Sequence, residues 1–193
     1  MMRKIVLASN NQGKLREFSQ ILAPLNISLH VQSEFNVPEA DEPFLTFVEN
    51  ALAKARHASR LTGLPALADD SGLCVNALQG APGVLSARYA GEPKSDNRNN
   101  QELIANLEEL QDRSAYYYCV LVYVRSESDP QPIIADGRWM GEIVAIPRGE
   151  HGFGYDPHFW IASQGKTAAE LSPELKNRLS HRGQALRSLL EKL

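Results

Sequence analysis

The chain has 193 residues, 43% of them hydrophobic and 22% charged, enough to bury a sizeable core and typical of a globular protein rather than a disordered or fibrous one. Lys and Arg number 20 against 23 Asp and Glu, a net charge of −3. This balance argues against bulk electrostatic capture of a nucleic-acid polymer or an anionic membrane, which select a clearly basic surface.

Cys74 and Cys119 sit in apolar runs without a Cys-x-x-Cys pair or zinc spacing, and read as buried thiols of a reducing compartment. The first apolar run, Ile5 to Ala8, is too short for a signal-peptide core, and nothing later approaches the ~20 apolar residues of a membrane span. A single domain over residues 1–193 and a cytoplasmic location are expected.

In chain order, Lys4 to Ala8 is a β-branched run that stops at the turn formers Ser9-Asn10-Asn11-Gln12-Gly13, after which Leu15, Phe18, Ile21 and Leu22 recur at helical spacing. A second strand spans Ile27 to Val31, and an acidic loop runs from Glu39 to Pro43. From Thr46 to about Leu61 the apolar stripe Phe47, Ala51, Leu52, Ala55 and Ala58 predicts a helix, with Thr46 as N-cap and Glu49 completing a capping box. Ala66 to Leu78 places Asp69-Asp70-Ser71-Gly72 between two strand-like pieces, where glycine lets the chain turn. Gly80 to Gly83 is a turn, and Asp96 to Leu110 is a helix capped by Ser95 or Asp96. Ala115 to Arg125 and Ile133 to Ile146 read as a strand pair, Arg148 to Asp156 as a Gly-rich loop, and Pro173 onward as helix broken near Ser180 to Gly183. Strands and helices that alternate early, followed by longer paired strands, point to an α/β chain with a mixed sheet.

The chemistry concentrates at a few places. Ser9 to Lys14 delivers a strand to a helix N-terminus, where backbone N–H groups and Lys14 favour an anion; an ordinary polar βα loop would look the same. It is not a Walker A loop, because Leu15 stands where a magnesium-holding Ser or Thr would be. Asp69 and Asp70 can hold a hard cation while one accepts a proton, and two acids buried together repel unless a cation joins them or one pKa rises. Glu39, Asp41 and Glu42 matter only if the fold brings them to Asp70. Asn50 and Lys54 share a helix face, from which Lys54 could reach a phosphate. Phe153 and Tyr155, set among glycines, offer a flat slot for a base, and His181-Arg182 offers adjacent donors for a base oxygen or a phosphate.

Together these supply a phosphate loop, a carboxylate site for magnesium, an aromatic slot and base-edge donors. The sequence resembles the inosine triphosphate pyrophosphatase family over essentially its whole length. The motifs that carry the resemblance are SNNQGK with Glu17 following, TFVENALAKAR, LADDSGLCVNALQGAPGVLSARYAG, HGFGYDPHF, GKTAAEL and SHRGQAL. Relatives usually carry Thr-Gly-Asn or Thr-His-Asn where this chain has Ser9-Asn10-Asn11, and often Glu-Glu-Thr-Gly at Asp41-Glu42-Pro43-Phe44.

The resemblance implies a mixed, elongated central sheet flanked by helices, in two lobes with the active-site cleft between them. It implies Mg²⁺-dependent hydrolysis of non-standard purine nucleoside triphosphates such as dITP, ITP and XTP to the monophosphate and pyrophosphate, by a homodimer. Ser9, Asn10, Asn11, Gln12, Gly13 and Lys14 would hold the triphosphate. Asp70 would be the base and a magnesium ligand, completed by Asp41 or Glu42. Asp69 would support Asp70, Lys54 would approach the phosphates, and Ser71 would contact substrate. Phe153, Gly154, Tyr155 and Asp156 would bind the nucleoside with Phe153 stacking, Lys176 would contact the nucleotide, and His181 and Arg182 would read the 6-keto oxygen.

Overall fold

The structure is a computed structural model that describes residues 3–11, 14, 15, 18, 19, 22 and 26–193. Gln12, Gly13, Glu17 and Ile21 lie outside the described residues. Lys14, Leu15, Phe18, Ser19 and Leu22 are helical, as the spacing of their apolar members predicts.

Seven strands form one sheet: β1 (Arg3–Leu7), β2 (Ile27–Val31), β3 (Ala66–Val75), β4 (Ser114–Val124), β5 (Ile133–Ile143), β6 (Phe159–Ile161) and β7 (Lys166–Thr167), in the order β2-β1-β3-β4-β5-β6-β7. The sheet is mixed. β1 runs parallel to β2 (Ile5 beside Leu29) and to β3 (Leu7 beside Leu67), whereas β5, β6 and β7 pair antiparallel. The helices are α1 (Phe47–Thr62), α2 (Asp96–Leu107), α3 (Pro173–Leu179) and α4 (His181–Leu190).

The chain divides into two compact units. The first comprises Met1–Asp70, Cys119–Gly137 and Ala185–Leu193, and the second Ser71–Tyr118 and Arg138–Gln184. In the first, Leu7, Phe18, Leu22, Leu67, Leu121 and Leu189 form one buried cluster. In the second, Leu73, Leu103, Leu107, Trp139, Phe159 and Leu171 form another. Each fully buried Leu or Phe contributes about 1.5–3 kcal/mol relative to exposure, so both units hold a core of their own.

Helix α1 shows how sequence sets local structure. The Thr46 hydroxyl accepts from the Glu49 backbone N–H at 3.3 Å and donates to the Glu49 carboxylate, and Gly63 closes the helix in the left-handed region at φ 67°. Ala51, Ala55 and Ala58 are fully buried, and their small side chains let α1 lie close against β1.

Several expectations needed revision. Asp69 to Gly72 is not a turn between two strand pieces: β3 runs unbroken through it, because almost every position is buried and the backbone must pair within the sheet. Helix α2 ends at Leu107 rather than Leu110, since Leu103 and Leu107 complete its buried stripe and Leu110 is exposed. β5 stops at Ile143, with Ile146 out in solvent. The C-terminal break is confined to Ser180, and His181 and Arg182 open the next helix. β6 and β7 are too short to leave a periodic signal.

Candidate functional site

β3 organises the acidic site. Neighbouring residues on a strand point to opposite faces, so Asp69 and Asp70 meet different lysines. Asp69 is bidentate to Lys14 Nζ, at 2.9 Å for Oδ1 and 2.8 Å for Oδ2. On the other face Lys54 Nζ lies 3.4 Å from Asp70 Oδ1 and 2.5 Å from Glu42 Oε1. Asp70 Oδ2 is buried and has no hydrogen-bond partner among the described residues.

Of the acidic run, Glu42 is the residue that arrives at Lys54, while Asp41 and Glu39 lie exposed. Asn50, one turn before Lys54 on α1, fixes this loop. It is buried, its Oδ1 accepts from the Phe44 N–H and its Nδ2 donates to the Phe44 carbonyl, both at 3.1 Å. Such a two-bond clamp on a neighbouring backbone was not legible from an Asn at helical spacing.

Burial is the largest influence on the Asp70 carboxyl and raises its pKa; Glu42 and Asp69 push it up further, and Lys54 only partly offsets them. For Lys54, burial alone would lower the pKa, but Asp70, Asp69 and Glu42 together raise it. The cluster therefore holds a firmly charged ammonium beside a carboxylate that is easier to protonate than usual, the direction that favours a group accepting a proton.

Ser9, Asn10 and Asn11 follow β1. The Asn11 N–H donates to Ser9 Oγ at 3.1 Å, and Asn11 Oδ1 accepts from the Lys14 N–H at 3.1 Å, as a cap does where a helix begins. Ser9 thus ties down Asn11, and Asn11 in turn meets the Lys14 backbone. Ser71 is half-buried on β3 and shares a face with Asp69.

In the second unit the Gly-rich loop wraps a buried carboxylate. Asp156 is 2% exposed; Oδ2 accepts from the Phe153 N–H at 2.8 Å and from Lys176 Nζ, and Oδ1 from the Tyr117 hydroxyl at 3.3 Å. A Cβ at Gly152 would fall 2.0 Å from Asp156 Oδ2, so only glycine lets the loop close this tightly. From outside, α2 grips Gly154: its N–H donates to Asp96 at 2.7 Å, and its carbonyl accepts from Asn100 at 3.0 Å. Phe153 is left 61% exposed, with Lys176 Nζ 4.9 Å from its ring centre. A ring this exposed, on a loop tied to Asp156 and to α2, leaves surface free to stack a flat ligand. Tyr155 is buried and donates to the Ser86 carbonyl at 2.8 Å, so it anchors the loop. His181 and Arg182 are buried at the start of α4, and the His181 ring stacks on Tyr117 at 4.8 Å and 11°.

A separate cavity of about 660 Å³ in the second unit is lined by Asn97, Asn100, Ile104, Arg113 and His158, and contains none of the acids or lysines above. Among the described residues no cluster of three His, Cys, Asp or Glu stands ready for a metal ion, and no helix is long and apolar enough to cross a membrane.

A family model described as the Ham1 family matches residues 5–192. A dITP/XTP pyrophosphatase of Nitrosomonas europaea is 65% identical over 192 residues, covering 100% of this chain and 95% of that protein. A dITP/XTP pyrophosphatase of Ralstonia nicotianae is 64% identical over 195 residues, covering 100% and 97%. Among solved structures, a HAM1 protein from Coxiella burnetii superposes with a TM-score of 0.96 at 51% identity, covering 100% of both chains. The Staphylococcus aureus Ham1 protein gives 0.90 at 41% identity, covering 98% and 97%.

Proposed function

The chain belongs to the Ham1 family, and from that footing we propose that it hydrolyses non-standard purine nucleoside triphosphates, dITP, ITP and XTP, to the monophosphate and pyrophosphate. One observation in the structure carries the chemistry: Asp70, buried and raised in pKa, shares Lys54 with Glu42 while its strand neighbour Asp69 holds Lys14.

In this reading Asp70 orients a water molecule and accepts its proton as the water oxygen attacks phosphorus and the anhydride bond to the leaving pyrophosphate breaks. Lys14 and Lys54 face the charge that develops on the leaving group, with the Ser9 to Lys14 loop around the phosphates. Positioned charges of this kind each account for about 10²–10³ in rate.

The donor set suits magnesium. The cation takes one or two carboxylates and fills its shell with water and phosphate oxygens. The unpartnered Asp70 Oδ2 and the nearby Glu42 carboxylate match that demand, without any third protein ligand. Asp70 and Glu42 would hold the ion, in preference to the exposed Asp41. Bound there, magnesium supplies charge neutralisation at the phosphate oxygens.

Selectivity follows from the base edge. A 6-keto oxygen accepts from His181 and Arg182, whereas adenine's 6-amino group would leave those donors unpaired, a mismatch worth up to about 10⁴-fold. Phe153 stacks the base, and Lys176, held by Asp156, contacts the nucleotide. We also infer a homodimer in the cytoplasm, on the family resemblance.

The test is product identification with dITP and Mg²⁺: dIMP and pyrophosphate support the reading, and orthophosphate overturns it. Asp70→Asn should keep nucleotide binding and lose nearly all turnover; near-normal turnover would remove Asp70 from the role of base.

A further inference from the structure

Tyr117, on β4, touches both halves of the base-reading machinery and is itself held on every side. Its hydroxyl donates to Asp156 Oδ1 at 3.3 Å, and its ring stacks on the His181 ring at 4.8 Å. Behind it, Phe159 lies at 4.6 Å and Trp139 at 6.4 Å, and Trp139 and Phe159 meet each other at 5.3 Å. A buried tyrosine packed against three rings and tied at its hydroxyl is placed to hold its two polar neighbours in register.

Resting on the function proposed above, we infer that Tyr117 is a positioning residue that aligns the stacking loop and the 6-keto reader with each other, through its hydroxyl and its ring respectively.

The two contacts do different jobs. Asp156 is the post around which Phe153 and Lys176 are arranged. With Oδ1 satisfied from β4 and Oδ2 turned to the loop, the carboxylate is fixed at both ends, and the Phe153 N–H and Lys176 ammonium take their positions from it. Loss of the hydroxyl leaves a buried carboxylate oxygen without that donor and loosens the slot. The His181 imidazole lies nearly parallel to the tyrosine ring, which sets the plane in which its ring nitrogens point. Loss of the ring frees that plane, and a misaimed donor no longer separates a keto oxygen from an amino group. Both contacts come from one side chain on a strand that also feeds the core. Burial pushes the phenol pKa well up, with Asp156 adding to it, so the hydroxyl stays a donor.

The two roles separate by substitution. Tyr117→Phe keeps the ring and removes the hydroxyl: KM for dITP should rise about tenfold, as for loss of a hydrogen bond to a charged group, while kcat and the dITP-to-dATP ratio of kcat/KM stay within about twofold of wild type. Tyr117→Leu removes both, and should lower the dITP-to-dATP ratio by about tenfold on top of the KM effect. A general packing defect would instead lower kcat as well as raise KM in both variants, and would reduce both nucleotides' kcat/KM by one factor. An unchanged KM in Tyr117→Phe, or a wild-type ratio in a folded Tyr117→Leu, overturns the inference, and the phenylalanine variant decides it if the leucine variant does not fold. Equilibrium binding of dITP and dATP, read by tryptophan quenching, repeats the comparison without turnover. Failure of the wild-type enzyme to release pyrophosphate would therefore count against the reaction assigned above and leave this inference to be decided by the binding ratios.

Discussion

Replacing Lys54 with methionine removes the ammonium while nearly preserving the stem that α1 presents. Its side chain is 13% exposed and that of Asp70 12%, so the pair is poorly screened. At 3.4 Å, an effective dielectric constant of about 20 gives an attraction near ~5 kcal/mol. Removing one partner of a buried pair costs about 3–5 kcal/mol, and the value here belongs at the lower end because Glu42 is partly solvated. The penalty depends on pH in a definite sense. Asp70 already has a raised folded-state pKa, and without Lys54 it rises further. A carboxyl that binds its proton more tightly when folded adds stability below its unfolded pKa and loses it as pH climbs through the folded value. The variant should therefore match wild type near pH 4 and fall about 3 kcal/mol behind at pH 7.5 in EDTA, a drop of roughly 6–12 °C in Tm for a chain of this size. Thermal unfolding of both proteins across that range is the assay. A Tm difference that is constant with pH, or larger in acid, would refute the account of Lys54 as counter-ion to Asp70.

Phe153→Ala should leave Tm within about 1 °C, since the ring is exposed, yet raise KM for dITP by roughly 5- to 150-fold from lost stacking, as steady-state kinetics would show; an unchanged KM would remove Phe153 from the base slot. Gly72→Ala should destabilise by about 3 kcal/mol or more by urea unfolding, because its Cβ would meet the Gly83 carbonyl oxygen at 2.2 Å and Ser86 Oγ at 2.5 Å. An alanine variant as stable as wild type would mean that the Gly83 turn yields freely.

Gly72 also shows where sequence reading stops. A glycine after Asp-Asp-Ser looks like a turn, yet its purpose lies in a close approach by a segment more than ten residues on, invisible to local pattern. Tyr117 is the same case, one of three successive tyrosines that acquires meaning only from a partner 39 residues on, and Asn50 acquires its meaning from a loop it clamps six residues back. Helix α1, with cap, stripe and terminal glycine all local, was legible almost to the residue, as were β1, β2 and the Gly-rich loop. The acids and lysines could be named from their motifs, but not which lysine faces which acid, because that depends on the alternation of a strand whose continuity the sequence obscured. Likewise, that Glu42 rather than Asp41 meets Lys54 could not be read from an acidic run whose loop is clamped by Asn50 at Phe44.

The alternation along β3 has a consequence for assembly of the sheet. With both faces buried, the strand offers little contrast between greasy and wet sides to say which residue belongs opposite which. A slip of a single position beside β1 would still bury mostly apolar side chains, but it would turn Asp69 away from Lys14 and Asp70 away from Lys54. Two stranded carboxylates would then penalise that slip, so Asp69 and Asp70 also act as the alignment key by which the strand finds its place.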